Sequence, residues 1–279
     1  GLVTHAYQLE QIEQDSWAVS GKLSHEWAFG ETSFKAGYAR FNERVDATET
    51  EVDFETGEEG DPANPEWESE RVRTRNVDEE FSLALDHAVP LTMDINLGVG
   101  AFWQDKDRQT DISEAEQEDE LDGRDWNPFT DSPARLIGAF ENFQPVAGGL
   151  GSVEEKRFDL YALLEGDHGD LSWEAGLRWE RTDVHIVDLT ADPDEAVNDN
   201  TYDHFLPSAS LKYAVGNGRI TASAARTVRR PQFDHISPVL LEEELGDNDF
   251  LGNPLLRPEK AWGIDLGYEH RLGRTGVIG

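Results

Sequence analysis

Three groups of residues in this sequence carry side chains suited to holding a small solute. The first is aromatic and amidic: Trp67 in "NPEWESE", and Trp126, Asn127 and Phe129 in "RDWNPFTD", all set among carboxylates. Rings stack on the apolar faces of a sugar or another neutral polar solute, while amides and carboxylates take its hydroxyls. The plainer use of the same rings is to pin their own segments. The second is Arg229 in "ARTVRRP", a guanidinium able to capture a ligand. Its plainer use is an internal ion pair with one of the many acids. The third comprises the acid and amide runs "DNDF" and "DPDEAVNDN". They have oxygen donors for a divalent cation but no EF-hand spacing, so solvated charge is expected and no metal site is assigned.

Catalysis finds no support. The sequence contains no His-Glu-x-x-His, no Gly-x-Ser-x-Gly, no P-loop and no dinucleotide-binding glycine fingerprint, and its 8 histidines show no ligand spacing. With 58 Asp and Glu in 279 residues, a carboxylate pair can be drawn almost anywhere and identifies nothing without geometry. The expectation is a non-enzyme without a cofactor.

Charge narrows the partners. Against those 58 acids stand 24 Lys and Arg, a net charge of −34. Nucleic acid is excluded as a partner, because phosphate binding needs a basic footprint. The absence of cysteine removes disulfides and thiolate metal sites. No run approaches the ~18 apolar residues of a membrane-crossing helix, which says nothing against strands that cross a membrane by alternation.

The elements that would position these residues are strands. Trp17, Val19, Leu23 and Trp27 share one face opposite Ser20, Lys22, Ser24 and Glu26. Phe81, Leu83, Leu85 and Val89 form a similar stripe, as do Met93, Ile95, Leu97, Val99, Ala101 and Trp103. The same alternation runs through Leu171, Trp173, Ala175, Leu177 and Trp179, through Ala209, Leu211, Tyr213 and Val215, and through Trp262, Ile264, Leu266 and Tyr268. Period two means β-structure with one apolar and one polar face. Short turns such as "GDHGD" and "VGNGR" take turns with long acidic connections near 46–70, 111–153, 190–201 and 232–258. Such alternation fits an up-and-down antiparallel β-barrel in a membrane, short turns at one rim and long loops at the other. Aromatics near strand ends match interfacial girdles. The competing architecture is a soluble acidic β-sheet protein that buries its apolar face in a core.

A resemblance sharpens this. "FLPSASLKYAVGNGRITASAARTVRRPQFDHISP", followed by "GNPLLRPEKAWGIDLGYEHRLG", resembles the TonB-dependent receptors, Gram-negative outer-membrane transporters of scarce nutrients. The matching elements are Leu206, Pro207 and Ser208 at a strand start, then Arg226, Thr227, Arg230 and Pro231, then Gly252, Asn253, Pro254, Leu256, Pro258 and Glu259. The match is best over roughly 155–279 and leans toward the carbohydrate-type subfamily.

The resemblance implies a 22-stranded transmembrane barrel closed by a plug, in outer-membrane lipid. It further implies contact with the TonB complex through that plug, and import of an oligosaccharide, siderophore-bound iron or a similar small molecule. This chain starts at Gly1 without an initiator Met, holds about nine complete strands, and shows no plug-sized segment before the first. It therefore reads as an internal piece, residues 1–279 being part of the barrel wall. A barrel without transport function is the other reading. On the strand rising from Asn217-Gly218, parity places Arg219, Thr221, Ser223, Ala225, Thr227 and Arg229 in the lumen and turns Arg230 outward toward the headgroups. Arg229 is then a candidate for plug docking or ligand capture.

Overall fold

The computed structural model describes residues 4–54, 65–121, 126–127, 129–241, 250–273 and 275–279, with the side chains of 240, 241 and 250 excepted. The wall comprises β1 (Thr4–Trp27), β2 (Gly30–Asp53), β3 (Glu66–Pro90), β4 (Ile95–Glu120), β5 (Gln144–His168), β6 (Leu171–Asp188), β7 (Val197–Val215) and β8 (Gly218–Arg229). The connection after β8 contains a one-turn helix, α1 (Phe233–Ile236), and a two-residue pair, β9 (Leu240–Leu241) with β10 (Phe250–Leu251). β11 (Glu259–Leu272) and β12 (Gly276–Ile278) complete the sheet, whose order is β1-β2-β3-β4-β5-β6-β7-β8-β11-β12. All neighbours in that order pair antiparallel, β8 meeting β11 across the intervening β9–β10 connection.

Short turns close one rim. Gly169 (φ 60°) and Gly216 (φ 56°) supply the left-handed conformation these turns need, at no steric cost to a residue without Cβ. The long connections, including 189–196 and 230–258, leave the strands at the other rim.

The apolar stripes read from the sequence share one surface. Ile264 is 79% and Leu266 81% exposed, which is unfavourable in water and correct against lipid. Across the upper border of this surface runs an aromatic belt. Trp17 meets Tyr38 at 5.1 Å, Phe81 meets Trp103 at 5.7 Å, and Phe158 meets Trp179 at 6.2 Å between ring centroids. Trp179 pairs with Phe205 across the β6–β7 ladder, and Trp262 continues the belt on β11. From Trp103 down to Ile95 is roughly 26 Å of strand at ~3.3 Å per residue, enough to cross an apolar band of about 25 Å when tilted.

Strands β1–β5 do not stop at the belt. On β2 the segment 41–53 rises about 40 Å beyond it. Here the structure differs from the sequence reading. The acid-rich segments assigned to connections 46–70 and 111–153 are largely strand, leaving connections of 54–65 and 121–143. Cross-strand pairs explain why acidic sequence still forms a ladder. Arg71 donates to Asp46 at 2.7 Å, Arg73 lies 3.6 Å from the same carboxylate, and the Thr50 and Ser69 hydroxyls bond at 2.7 Å.

The opposite face of the same extension is less comfortable. Glu68 sits between Glu51 and Glu118, and Glu70 between Glu49 and Glu116. Burial, then repulsion from Glu116, Glu118 and Glu51, pushes the Glu68 carboxyl above the usual carboxylate range. A carboxyl with a raised folded-state pKa binds its proton more tightly when folded. Its contribution is complete below the ordinary value and is lost as pH rises through the shifted one. Backbone hydrogen exchange over 66–70, corrected for its intrinsic pH dependence, is therefore expected to be slower in mildly acidic than in neutral buffer. Glu68→Gln is expected to narrow that difference.

Candidate functional site

The face opposite the lipid-facing stripes is built from charges that satisfy one another. Asp159 on β5 is fully buried and Glu180 on β6 is 3% exposed. Arg157 donates to Asp159 at 2.8 Å and to Glu180 at 3.0 Å, and Arg178 reaches Asp159 at 3.4 Å. Lower on the same face, Tyr161 donates to Asp86 at 2.5 Å, and Asp86 also holds Lys35 at 3.3 Å. Buried carboxylates persist only with such partners.

The connection after β8 folds onto this face, and Pro207 marks where it does so. The β7–β8 ladder ends at Ser208 opposite Ala225, one residue short of Pro207, which has no N–H to offer. The β6–β7 ladder continues past it to Val197. Beyond Ala225 the two strands part, and Arg226 Nη1 donates across the fork to the Phe205 carbonyl at 3.4 Å. Arg230 then turns inward, pairing with Glu180 and donating from Nε to Thr182 Oγ1 at 3.1 Å. Ile236 of α1 packs with Val153, Val184 and Ile186, backed by Tyr202 and Phe233. Asp234 pairs with Arg108 on β4, which also holds Asp78 at 2.5 Å. Residues 230–239 thus form a strap across the inner face, from β8 to β4.

The returning arm is equally fixed. The Asn253 N–H donates to the His235 carbonyl at 2.8 Å. Asn200 Nδ2 donates to the Pro254 carbonyl at 2.9 Å and the Tyr202 hydroxyl to the Leu256 carbonyl at 2.9 Å. A cavity of about 850 Å³ lies between strap and wall, lined among others by Phe41, Gln104, Lys106, Arg108, Phe233 and Asp234. Gln104 bonds Glu80 at 2.6 Å and Lys106 lies 3.8 Å from it, so these lining charges are matched. Among the described residues no cluster of three or more metal-ligating side chains occurs.

A lipid-facing surface bounded by an aromatic belt, opposed to a polar, cavity-bearing inner face, describes a membrane barrel wall. The family model "TonB dependent receptor-like, beta-barrel" matches residues 2–277. This chain belongs to the TonB-dependent receptor family.

Among solved structures, the barrel is similar to the copper transporter OprC. The TM-score is 0.52 at 10% identity, over 93% of this chain and 43% of that one. The unliganded ferric citrate transporter FecA matches with TM-score 0.45 at 10% identity, over 92% and 41%. The ferric yersiniabactin uptake receptor FyuA from Yersinia pestis matches with TM-score 0.43 at 11% identity, over 97% and 48%. The chain thus spans less than half the length of each of these structures. No curated protein matches. The barrel lies in the outer membrane, as the family does, and the alternative of a soluble acidic sheet is set aside.

The receptor's structure brings together some of the residues singled out from sequence. Pro207, Arg226, Arg230, Pro231, Gly252, Asn253, Pro254 and Pro258 converge on the fork and strap, with Glu259 opposite Arg229 at the start of β11. Arg230, read from parity as outward, points inward, because parity holds only while the ladder does. Arg229 is exposed at the mouth and forms no ion pair with any described residue.

The aromatic candidates do not form one site. Trp67 lies in β3 rather than in a loop, between Val52 and Asp119. Trp126 is 5% exposed, with Arg135 over its ring at 4.8 Å and the His5 ring at 6.3 Å. Asn127 shapes a turn: its Oδ1 accepts from the Phe129 N–H at 3.0 Å. Phe129 is 90% exposed. Residues 242–249, which include the Asp-Asn-Asp of "DNDF", lie outside the described residues.

Gly252 shows why the Gly-Asn-Pro run needs its glycine. A Cβ there would lie 1.8 Å from the Ser237 carbonyl oxygen and 2.9 Å from that of Asp234. Gly252→Ala is expected to dislodge the strap at a cost of about 1–3 kcal/mol or more. Limited proteolysis of the folded receptor should then cut within 230–258, while the heat-modifiable gel mobility of the barrel persists.

Proposed function

We propose that this chain forms part of the wall and external mouth of a receptor that binds a nutrient and imports it actively through a plugged barrel. The observation that carries this reading is the inner face. It is polar, lined with matched charges and aromatic rings, and its own strap leaves a cavity of about 850 Å³. A structural barrel has no need of such a recess. The sheet has two free edges, at β1 and β12, and an open sheet edge is not tolerated in lipid. Further strands therefore complete the wall, and a plug fills it and contacts the TonB complex. The solute is an oligosaccharide, a siderophore-bound iron or a similar small molecule. A net charge of −34 favours a neutral solute over an anionic chelate at the mouth.

Cells lacking the full-length receptor, and cells lacking TonB, are expected to lose growth on the same limiting nutrient within a panel of neutral oligosaccharides and iron chelates. Growth unaffected by either deletion on every member would refute the proposal. Arg229→Ala is expected to lower uptake with normal barrel assembly. Unchanged uptake removes Arg229 from the site.

A further inference from the structure

One small region reverses the charge of the whole chain. The segments 226–231 and 257–260 hold Arg226, Arg229, Arg230, Arg257 and Lys260 against the single acid Glu259, in a protein with 58 acids and 24 bases. Register makes these segments neighbours: Arg226 is opposite Trp262 and Lys260 opposite Val228 across the β8–β11 ladder. Alternation places Arg226 and Lys260 on the same side as Trp262 and Ile264, the side that faces lipid. Both stand at the height of the aromatic belt, where headgroups lie. Neither forms an ion pair with a described residue. Directly below, Ile264 and Leu266 expose an apolar strip.

We propose that Arg226 and Lys260 hold a phosphate of an outer-leaflet lipid headgroup, with the lipid's chains along Ile264 and Leu266. Two unpaired cations at the polar border of an apolar strip match an amphiphile with an anionic head. Arg226 spends one N–H on the Phe205 carbonyl and keeps the others of its guanidinium for phosphate oxygens. The strongly acidic remainder of the extension repels phosphates, so this patch fixes where on the perimeter such a lipid sits.

The test uses the full-length receptor in phosphatidylcholine nanodiscs containing lipid A, either phosphorylated or enzymatically dephosphorylated, with retained lipid counted by native mass spectrometry. Wild type is expected to retain the phosphorylated form preferentially. The Arg226→Gln/Lys260→Gln double variant is expected to retain it at least about tenfold less. The charge-conserving Arg226→Lys/Lys260→Arg exchange should restore retention. Lys260→Gln alone, an exposed side chain whose loss leaves the wall intact, should weaken retention several-fold even if the double variant assembles poorly. Equal retention of both lipid forms, undiminished retention in the Gln variants, or displacement of the lipid by inorganic phosphate would each overturn the proposal.

Discussion

Ile264→Arg is expected to cost the barrel about 1–3 kcal/mol in lipid. Ile264 lies one lipid-facing position below the belt residue Trp262, between the midplane, where a cation costs about 2–4 kcal/mol, and the interface, where it costs about 0–1 kcal/mol. Ile264 is 79% exposed in the chain alone. In water, an exposed isoleucine exchanged for arginine changes stability by only about 0.5 kcal/mol in either direction. The size of the effect therefore reports the solvent. Urea unfolding of the receptor in phosphatidylcholine vesicles, followed by heat-modifiable mobility, measures it. The neighbouring inward position is the control. Nothing lies within 4 Å of a Cβ built at Gly263, so Gly263→Ser should leave the unfolding midpoint nearly unchanged. A small effect at 264 would mean that β11 does not face lipid.

Glu180→Ala is expected to be at least as damaging, for the opposite reason. Three guanidiniums converge on that carboxylate: Arg157 at 3.0 Å, Arg178 at 3.7 Å and Arg230. Removing the anion leaves buried cations short of a partner, at about 3–5 kcal/mol. The loss should be partly recovered in Glu180→Met/Arg230→Met, where the anion and one of its cations leave together. Because Arg230 is the strap's first anchor, the single variant should also expose 230–239 to protease. Unfolding and proteolysis measured on the same samples separate the two effects. Unfolding without strap release would show that Thr182 and Asp234 hold the strap unaided.

Much of the wall was legible because lipid imposes a strict rule on it. Stripes such as Trp262, Ile264, Leu266 and Tyr268 alternate without exception, and a one-residue slip would put every one of them on the wrong face. Above the belt that rule lapses. Water borders both faces there, alternation is no longer enforced, and a segment such as "ERVDATETEVD" reads as loop although arginines and hydroxyls across the ladder hold it as strand. Trp67 was misplaced for this reason. The strap was hidden for another. Its position depends on where the β7–β8 ladder fails, and from there Arg230 follows a fold-back that no periodicity encodes. The motif residues were found, but their joint purpose required Glu180, Thr182 and Arg108, which lie on other strands and carry no local signal.

The strand order also has a kinetic meaning. In the ten-stranded sheet each strand bonds only to its neighbours along the chain, apart from the β9–β10 detour between β8 and β11. Most of the wall can therefore grow hairpin by hairpin, each step closing a modest loop. The Arg108–Asp234 pair is of another kind, joining residues 126 apart in sequence. It can form only after β4 to β8 stand side by side, so it is a late stitch. A wall that curves wrongly would leave it undone, and the pair then serves as an internal gauge of whether the sheet has bent to its proper arc.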